Sequence, residues 1–257
     1  MTKLGGTKHL KRLAAPRIYP VYRKRPHGKY TIRPAPGPHP KHRSVPLAIV
    51  LRDVLGYAKT LREARKILAK RLVYVDGRVI TDYRFPIGLM DVLYLKEVDK
   101  YWRVLPLGKK LYFHEITPEE AKFKIVRITS KQYAKSGWIQ IGLEDGRSII
   151  FKTNSDEKRR EVLDKYKTWD AIKIAIPSQE ILGHFELKED MYGLIMGGTH
   201  AGEHGQVIKI TKQLMRKYST VTLKNPLGEY IATSLVYLLI IGKEKPEISL
   251  PEIGDKE

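Results

Sequence analysis

The stretch TLREARKILAKRLVYVDGRVI, from Thr60 to Ile80, predicts a helix that leads into a β-hairpin. Thr60 and Glu63 have the spacing of a capping box, in which two side chains satisfy backbone amides at the start of a helix. Four apolar side chains then fall on one helical face: Leu61, Ala64, Ile67 and Leu68. Asp76-Gly77, between two apolar runs, is typical of a type I′-like turn that joins two strands.

The flanking segments extend this unit to residues 44–105. Ser44 and Pro46 indicate a helix start, with serine as the cap and proline in the first turn. Gly56 ends the helical pattern, and the run DVLYL at 91–95 predicts a further strand. We therefore expect a small α/β module of two short helices and a small sheet.

The outer face of the second helix is basic. Its predicted RNA-binding residues are Lys59, Thr60, Arg62, Arg65, Lys66, Lys70 and Arg71. Cations grouped in this way suit a phosphate backbone. An ordinary solvated helix face is the alternative, and on charge alone it is the commoner explanation.

This stretch resembles the small RNA-binding module of the bacterial small-subunit ribosomal protein four and of several RNA-modifying enzymes. The matching positions are Thr60, Glu63, Ala64, Arg65 and Gly77. The family has a glycine where the helix meets the strand, whereas this chain has Lys70-Arg71. The resemblance implies RNA binding and leaves the geometry of that bend open.

The composition of the whole chain favours a polyanionic partner. Its 257 residues include 48 Lys or Arg against 28 Asp or Glu, a formal net charge of +20. Such a charge repels itself unless a partner neutralises it, and nucleic acid is a better candidate than an anionic membrane. No apolar run reaches the roughly 18 residues of a membrane-spanning helix. The lack of cysteine excludes a disulfide scaffold, thiolate zinc ligands and thiol catalysis.

Residues 1–43 form a basic segment without a single carboxylate side chain. With seven prolines and no sustained periodicity, they predict an extended N-terminal arm that has no core and orders only on RNA. Tyr19, Tyr22 and Tyr30 could stack on unpaired bases. The predicted RNA-binding residues here are Lys3, Lys8, His9, Lys11, Arg12, Arg17, Arg23, Lys24, Arg25, Lys29, Arg33, Lys41, His42 and Arg43. The alternative is a disordered, solvated tail.

The glycine-rich stretch MGGTHAGEHGQVIKI, at 196–210, admits three interpretations. A phosphate-binding loop would need a Gly-Lys-Ser/Thr sequence before a helix, which is missing here. His200 and His204 have a zinc spacing only on a helix, and Gly202 and Gly205 oppose a helix. A loop between two strands therefore fits best.

The strands that follow predict a small β-barrel over residues 188–242. The glycine-rich stretch resembles a KOW motif, in which Gly202, Gly205 and Val207 occupy the expected places. Because the loop of that motif commonly meets RNA, the resemblance makes Thr199, His200 and His204 RNA-binding candidates. Surface turn residues without a partner are the alternative.

Residues 106–187 predict a central, antiparallel β-rich domain, and residues 243–257 a C-terminal tail. Thr117-Pro118-Glu119-Glu120 indicates a brief helix, Glu144-Asp145-Gly146 a hairpin turn, and residues 155–166 a surface helix. No paired acids, nucleophile or metal-ligand cluster stands out. The fold class is therefore α+β and multidomain, with no catalytic residues and no metal site expected.

Several segments along the chain are similar to the archaeal or eukaryotic small-subunit ribosomal proteins of the four-e family. They are KHLKRLAAPR, GPHP at 37–40, DGRVITDYRFPIGLMDVLYL, HEITPEEAKFKIVRI, MGGTHAGEHGQVI and EYIATSLVYLLIIGKEKPEISLP, in the family's order. The resemblance implies a non-catalytic, cytoplasmic component of the small ribosomal subunit that contacts ribosomal RNA and neighbouring ribosomal proteins. It implies no cofactor, small-molecule substrate, membrane contact or homo-oligomer.

Two other functions remain open at this point. An RNA-modifying enzyme can carry the same helical module, but it would need a positioned Asp or a cofactor-binding glycine loop. A free KOW-type translation or transcription factor would differ from a ribosomal protein in its sedimentation, because a subunit protein follows the small particle.

Overall fold

The structure is a computed structural model that describes residues 9–23, 28–153, 155–215 and 218–251. The chain is mostly antiparallel β, with three five-stranded sheets and two two-stranded sheets. Few helices accompany them, and within the described ranges none is long and apolar enough to cross a membrane. The coarse prediction of a multidomain α+β protein is confirmed, with β structure dominant.

The N-terminal arm packs on the folded body. Its strands β1 (Leu10–Lys11) and β2 (Tyr30–Thr31) pair antiparallel. Leu10, Ala15 and Tyr19 are buried in the same core as the first module. The expectation that the arm orders only on RNA is therefore wrong for the described part, because its widely spaced apolar residues dock on the core of the first module without any local periodicity.

The first module contains two helical segments and a five-stranded sheet. Its elements are β3 (Val45–Pro46), α1 (Leu47–Ile49) continued by a π-helical turn (Val50–Val54), α2 (Leu61–Ala69), β4 (Val73–Val75), β5 (Arg78–Val79), β6 (Pro86–Ile87), β7 (Val92–Leu95), β8 (Lys100–Leu107) and β9 (Lys110–Ile116). The sheet order is β5-β4-β7-β8-β9, and β3 pairs with β6. The apolar faces of both helices pack on this sheet.

The local predictions for this module mostly hold. Thr60 Oγ1 accepts a 3.2 Å hydrogen bond from the Glu63 amide, and Glu63 accepts one from the Lys59 amide at 2.7 Å. Asp76 and Gly77 both have positive φ, 48° and 75°, as a type I′ turn requires. The predicted start of the first helix is wrong. Pro46 pairs as a strand and occupies the N-cap position of the helix. The Ser44 hydroxyl donates to the Pro40 carbonyl and does not cap the helix.

The central domain is built on a second five-stranded sheet. Its elements are β10 (Phe123–Tyr133), β11 (Ile139–Leu143), β12 (Ser148–Phe151), α3 (Asp156–Lys165), β13 (Ala171–Ala175) and β14 (Ile181–Phe185), with sheet order β12-β11-β10-β13-β14. The predicted brief helix is a 3-10 turn (Glu120–Lys122), and α3 is the predicted surface helix. Gly146, at φ 77°, makes the hairpin turn between β11 and β12.

The last sheet contains β15 (Tyr192–Ile195), β16 (His204–Thr211), β17 (Thr220–Lys224), β18 (Tyr230–Ser234) and β19 (Leu238–Gly242). Its order is β18-β17-β16-β15-β19, so the first and last strands of the unit meet. Leu235–Tyr237 forms a 3-10 turn directly before β19. The core of this sheet includes Met90, Leu105 and Ile125 of the other domains, which ties the sheets together. The predicted domain boundaries stay predictions.

Candidate nucleic-acid interface

Helix α2 and the turn after it carry a surface of exposed cations, here called the α2 basic face. Its members are Lys59, Arg62, Arg65, Lys66, Lys70 and Arg71, all exposed. None of the six forms a salt bridge with another described residue, and the Arg65 guanidinium lies 4.2 Å from the centre of the Tyr83 ring. The apolar face of the helix, at Ala64 and Leu68, is fully buried, which fixes the direction of the cations. This face can therefore meet a polyanion without first breaking internal ion pairs.

The bend after α2 has a left-handed backbone conformation that glycine usually adopts, although the residue there is arginine. Lys70 ends the helix with φ −72°, and Arg71 follows at φ 57°, in the left-handed region. The strand β4 starts two residues later. The left-handed turn between helix and strand is thus made by an arginine, which adds a cation at its edge.

The arginines of the arm are held in place by neutral groups. Arg12 donates to the carbonyls of Tyr22 and Tyr30 at 3.0 and 3.3 Å, and Arg23 donates to those of Ala15 and Pro16 at 2.9 and 3.0 Å. Carbonyl groups orient a guanidinium but leave its charge in place. Arg43 differs, because its Nη1 lies 2.7 Å from Glu144 Oε1.

The other predicted arm residues divide by exposure. His9, Lys11, Arg17, Lys29, Lys41 and His42 are exposed, and Arg33 is half-buried. Lys3, Lys8, Lys24 and Arg25 lie outside the described residues. The exposed set therefore gives the arm a cationic surface next to its docked apolar residues.

The tyrosines of the arm do not share one role. Tyr19 is only 3% exposed, and burial raises the pKa of its hydroxyl, so the expectation that it stacks on a base is wrong. Tyr30 is exposed, with the His9 ring 5.4 Å away and Lys29 Nζ 5.8 Å from its centre. A ring with a cation beside it is a suitable stacking surface for a base.

The glycine-rich loop between β15 and β16 presents two of its three candidate residues to solvent. Thr199 and His200 are exposed, and His200 Nδ1 lies 3.3 Å from Glu203 Oε1. His204 is placed differently from the prediction: it begins β16, is buried, and its Nδ1 lies 2.8 Å from the Tyr192 hydroxyl. Burial lowers the pKa of His204, which disfavours the charged form of its ring. His204 therefore belongs to the sheet and not to the exposed part of the loop.

Sequence reasoning missed three buried cations that join the domains. Arg103 donates to the carbonyls of Glu120 and Phe123, and Arg127 donates to the carbonyls of Val236 and Leu238. Lys124 Nζ lies 2.9 Å from Asp76, 2.6 Å from Asp91 and 3.3 Å from Asp145. These side chains stabilise the junctions and do not contribute to a surface for RNA. No local signal marks them, since their partners lie far along the chain.

The ionisation of the Lys124 cluster follows from its charges. Burial alone would lower the pKa of Lys124, but the three carboxylates outweigh burial and raise it above its ordinary value. Burial would likewise raise the pKa of Asp91, while Lys124 and then His39 lower it well below its usual range. Across the described ranges, no group of three or more His, Asp or Glu side chains could hold a metal ion.

Comparison with known proteins assigns this architecture to a family. The model for the ribosomal family S4e matches residues 98–181, that of the S4 domain matches 45–93, and that of the RS4NT (NUC023) domain matches 4–42. The small ribosomal subunit protein eS4 of Desulfurococcus amylolyticus is 44% identical over 253 residues, which cover 98% of this chain and 99% of that protein. The chain belongs to the eS4 family.

Further eS4 proteins and a solved structure agree. The eS4 protein of Aeropyrum pernix is 42% identical and covers 98% of both chains. The crystal structure of the 30S ribosomal protein S4e from Thermoplasma acidophilum superposes with a TM-score of 0.63 at 27% identity, covering 78% of this chain and 96% of that one. Membership of the eS4 family confirms the predicted resemblance and the expectation of a non-enzymatic structural protein.

Proposed function

We propose that this eS4 protein is a structural component of the small ribosomal subunit that holds ribosomal RNA with the α2 basic face and the arm. The observation that carries the proposal is the α2 basic face, whose six cations are exposed and free of salt bridges to described residues. The S4 domain match over residues 45–93 contains this whole face. As a ribosomal protein, it resides in the cytoplasm with its subunit.

The last sheet supports a second RNA contact. Residues 188–242 carry a strand order in which β15 lies between β16 and β19, with a 3-10 turn before the last strand, as in a small SH3-like KOW barrel. Within the glycine-rich loop, exposed Thr199 and His200 are the candidates for RNA contact. Gly202, at φ 94°, lets the loop turn back toward β16.

The arm supports the same function through charge. Its described part contains no carboxylate of its own, and Arg12 and Arg23 are oriented by carbonyls that leave their charge intact. Neighbouring ribosomal proteins would cover the rest of the surface. A homo-oligomer, a membrane contact and a small-molecule substrate form no part of this proposal.

Binding of small-subunit ribosomal RNA at several salt concentrations tests the proposal. Each phosphate neutralised on RNA contributes roughly 0.7–0.9 to the slope of log K against log salt. The double substitution Arg62→Ala, Lys66→Ala should therefore weaken binding and reduce that slope by about 1.4–1.8. The matched control is Lys158→Ala, Arg160→Ala, which removes two exposed cations from α3 and should change neither quantity. Equal losses in both variants would show that only net charge matters.

A further inference from the structure

A cavity of about 480 Å³ opens where the arm, the first module, the central sheet and the last sheet meet. Its lining includes the arm residues Arg17, His42 and Arg43, Lys109 from the turn between β8 and β9, and Lys110 at the start of β9. Ligand cavities in proteins span roughly 300–1,000 Å³, so this one has room for a single small ligand. It lies apart from the α2 basic face, whose residues do not line it.

The rim of the cavity is positive. Arg17, Lys109 and Lys110 are exposed and form no salt bridge with any described residue. The two acidic lining residues are already engaged: Glu144 lies 2.7 Å from Arg43 and 2.9 Å from Arg127, and Asp145 lies 3.3 Å from Lys124. The rim therefore attracts an anionic group.

The lining of the cavity also has an apolar part, which lies together with the ring of Tyr237. Its lining includes Leu89, Met90, Met196 and Leu239. Tyr237 also lines it, with 38% of its surface exposed. One side of this ring lies against the backbone of Gly197, where an added Cβ would stand 3.0 Å from the ring. The absence of a side chain at Gly197 thus leaves room for the Tyr237 ring beside the loop.

We propose that this cavity binds one unpaired nucleotide of an RNA, with its base against Tyr237 and the apolar lining and its phosphate at Lys109, Lys110 and Arg17. A planar base joined to a phosphate matches a lining that combines a tyrosine ring, apolar side chains and exposed cations. An acidic peptide would satisfy the rim but would leave the ring and the methionines without a planar partner. The inference rests on the proposed function, because the nucleotide belongs to the RNA that the α2 basic face holds.

The methionines of the chain give a site-resolved test. The sequence has five of them, of which Met90 and Met196 line the cavity while Met215 is exposed on the connection between β16 and β17. With ¹³C-methyl methionine, addition of AMP or UMP should shift the Met90 and Met196 signals and leave that of Met215 in place. Adenosine, which lacks the phosphate, and ribose 5-phosphate, which lacks the base, should both bind more weakly than AMP.

Two sets of variants separate the base from the phosphate. A base stacked on an aromatic ring strengthens binding by a factor of roughly five to a hundred. Tyr237→Leu should therefore weaken the affinity for AMP by that factor, while Tyr237→Phe should retain the wild-type affinity. Lys109→Ala, Lys110→Ala changes two exposed side chains at the turn and the first residue of β9, and it should also weaken AMP binding. The control Lys209→Ala, Lys212→Ala removes two exposed lysines near β16 and should not change AMP binding.

Three results would overturn the inference: no shift of Met90 and Met196 with AMP, equal AMP affinity in Tyr237→Leu and wild type, or stronger shifts with a hexaglutamate peptide than with AMP. Binding of ribosomal RNA is measured on the same samples. If the RNA binds as proposed while AMP has no effect on the cavity methionines, the cavity inference alone fails. If the RNA does not bind, the proposed function itself fails.

Discussion

Lys124 Nζ lies 2.6 Å from Asp91 Oδ1, although 33 residues separate them. Lys124 belongs to β10 of the central sheet, whereas Asp91 directly precedes β7 of the S4 module. Asp91 Oδ1 also lies 3.0 Å from His39 Nε2, so the same carboxylate contacts the end of the arm. One buried ion cluster therefore links three parts of the chain, and its energetics can be tested.

Replacement of Lys124 by methionine should strongly destabilise the protein. The substitution keeps the volume of the side chain but removes the cation that Asp76, Asp91 and Asp145 share. The partners that remain are Arg147, at Asp76 and Asp145, and His39, at Asp91. Removal of one partner from a buried ion pair costs about 3–5 kcal/mol, which urea unfolding measures directly. Lys122→Met, at an exposed position two residues away, is the control and should change stability by no more than about 0.5 kcal/mol. A loss below about 1 kcal/mol for Lys124→Met would contradict this account.

Acid should destabilise the fold through Asp91. The pKa of this carboxyl is lowered in the folded state, since the charges of Lys124 and His39 outweigh the opposite effect of burial. Its contribution to stability is therefore present above the unfolded-state pKa of about 3.9 and is lost as the pH falls through the lower folded-state value. The urea concentration at the unfolding midpoint of the wild type should therefore decrease as the pH drops below about 4. Asp91→Asn should be less stable at pH 7 and lose less stability over the same acid range; an equally steep acid loss would assign it to other groups.

The features that the sequence predicted correctly are local. The Thr60–Glu63 capping box, the Asp76-Gly77 turn and the loop between β15 and β16 each depend on a few neighbouring residues. Helix α2 was found for the same reason, because its buried stripe repeats within one segment. Physical rules that act over four or five residues are sufficient for such features.

The features that the sequence did not reveal depend on distant partners. Lys124 lies in an alternating strand, yet it is 1% exposed because carboxylates from three other segments surround it. Tyr19, within a proline-rich arm, is buried because a neighbouring module offers an apolar surface. His204 looked like a loop residue, but β16 starts there. In each case the environment of the side chain is created by tertiary packing.

Arg71→Gly should separate stability from RNA binding. Arg71 adopts φ 57°, a conformation that costs an ordinary L-residue roughly 1–2 kcal/mol, while glycine adopts it freely but with a larger entropy loss on folding. We expect the variant to be about 1 kcal/mol more stable in urea unfolding. Loss of one cation from the α2 basic face should meanwhile weaken RNA binding and reduce the salt slope by about 0.7–0.9.

Lys70→Gly is the matched control for Arg71→Gly. It removes the same charge from a residue at φ −72°, where glycine has no conformational advantage, so the protein should become about 0.5–1 kcal/mol less stable. RNA binding should weaken in both variants, whereas stability should move in opposite directions. A destabilised Arg71→Gly would mean that the arginine side chain makes contacts that outweigh its backbone strain.

Gly205→Ala should disrupt the last sheet, because the backbone of β17 passes directly over this position of β16. An added Cβ would lie 2.0 Å from the Lys224 carbonyl oxygen, which no side-chain rotation can relieve. The two strands would have to separate locally, so we expect a loss of about 3 kcal/mol or more in urea unfolding. Gly183→Ala on β14 is the control: its Cβ would meet only the Lys173 Cβ at 3.6 Å, an ordinary contact, and its stability should change by less than about 1 kcal/mol. If both variants proved equally stable, β16 and β17 would not approach each other as closely as this glycine implies, and the placement of the glycine-rich loop beside them would lose its support.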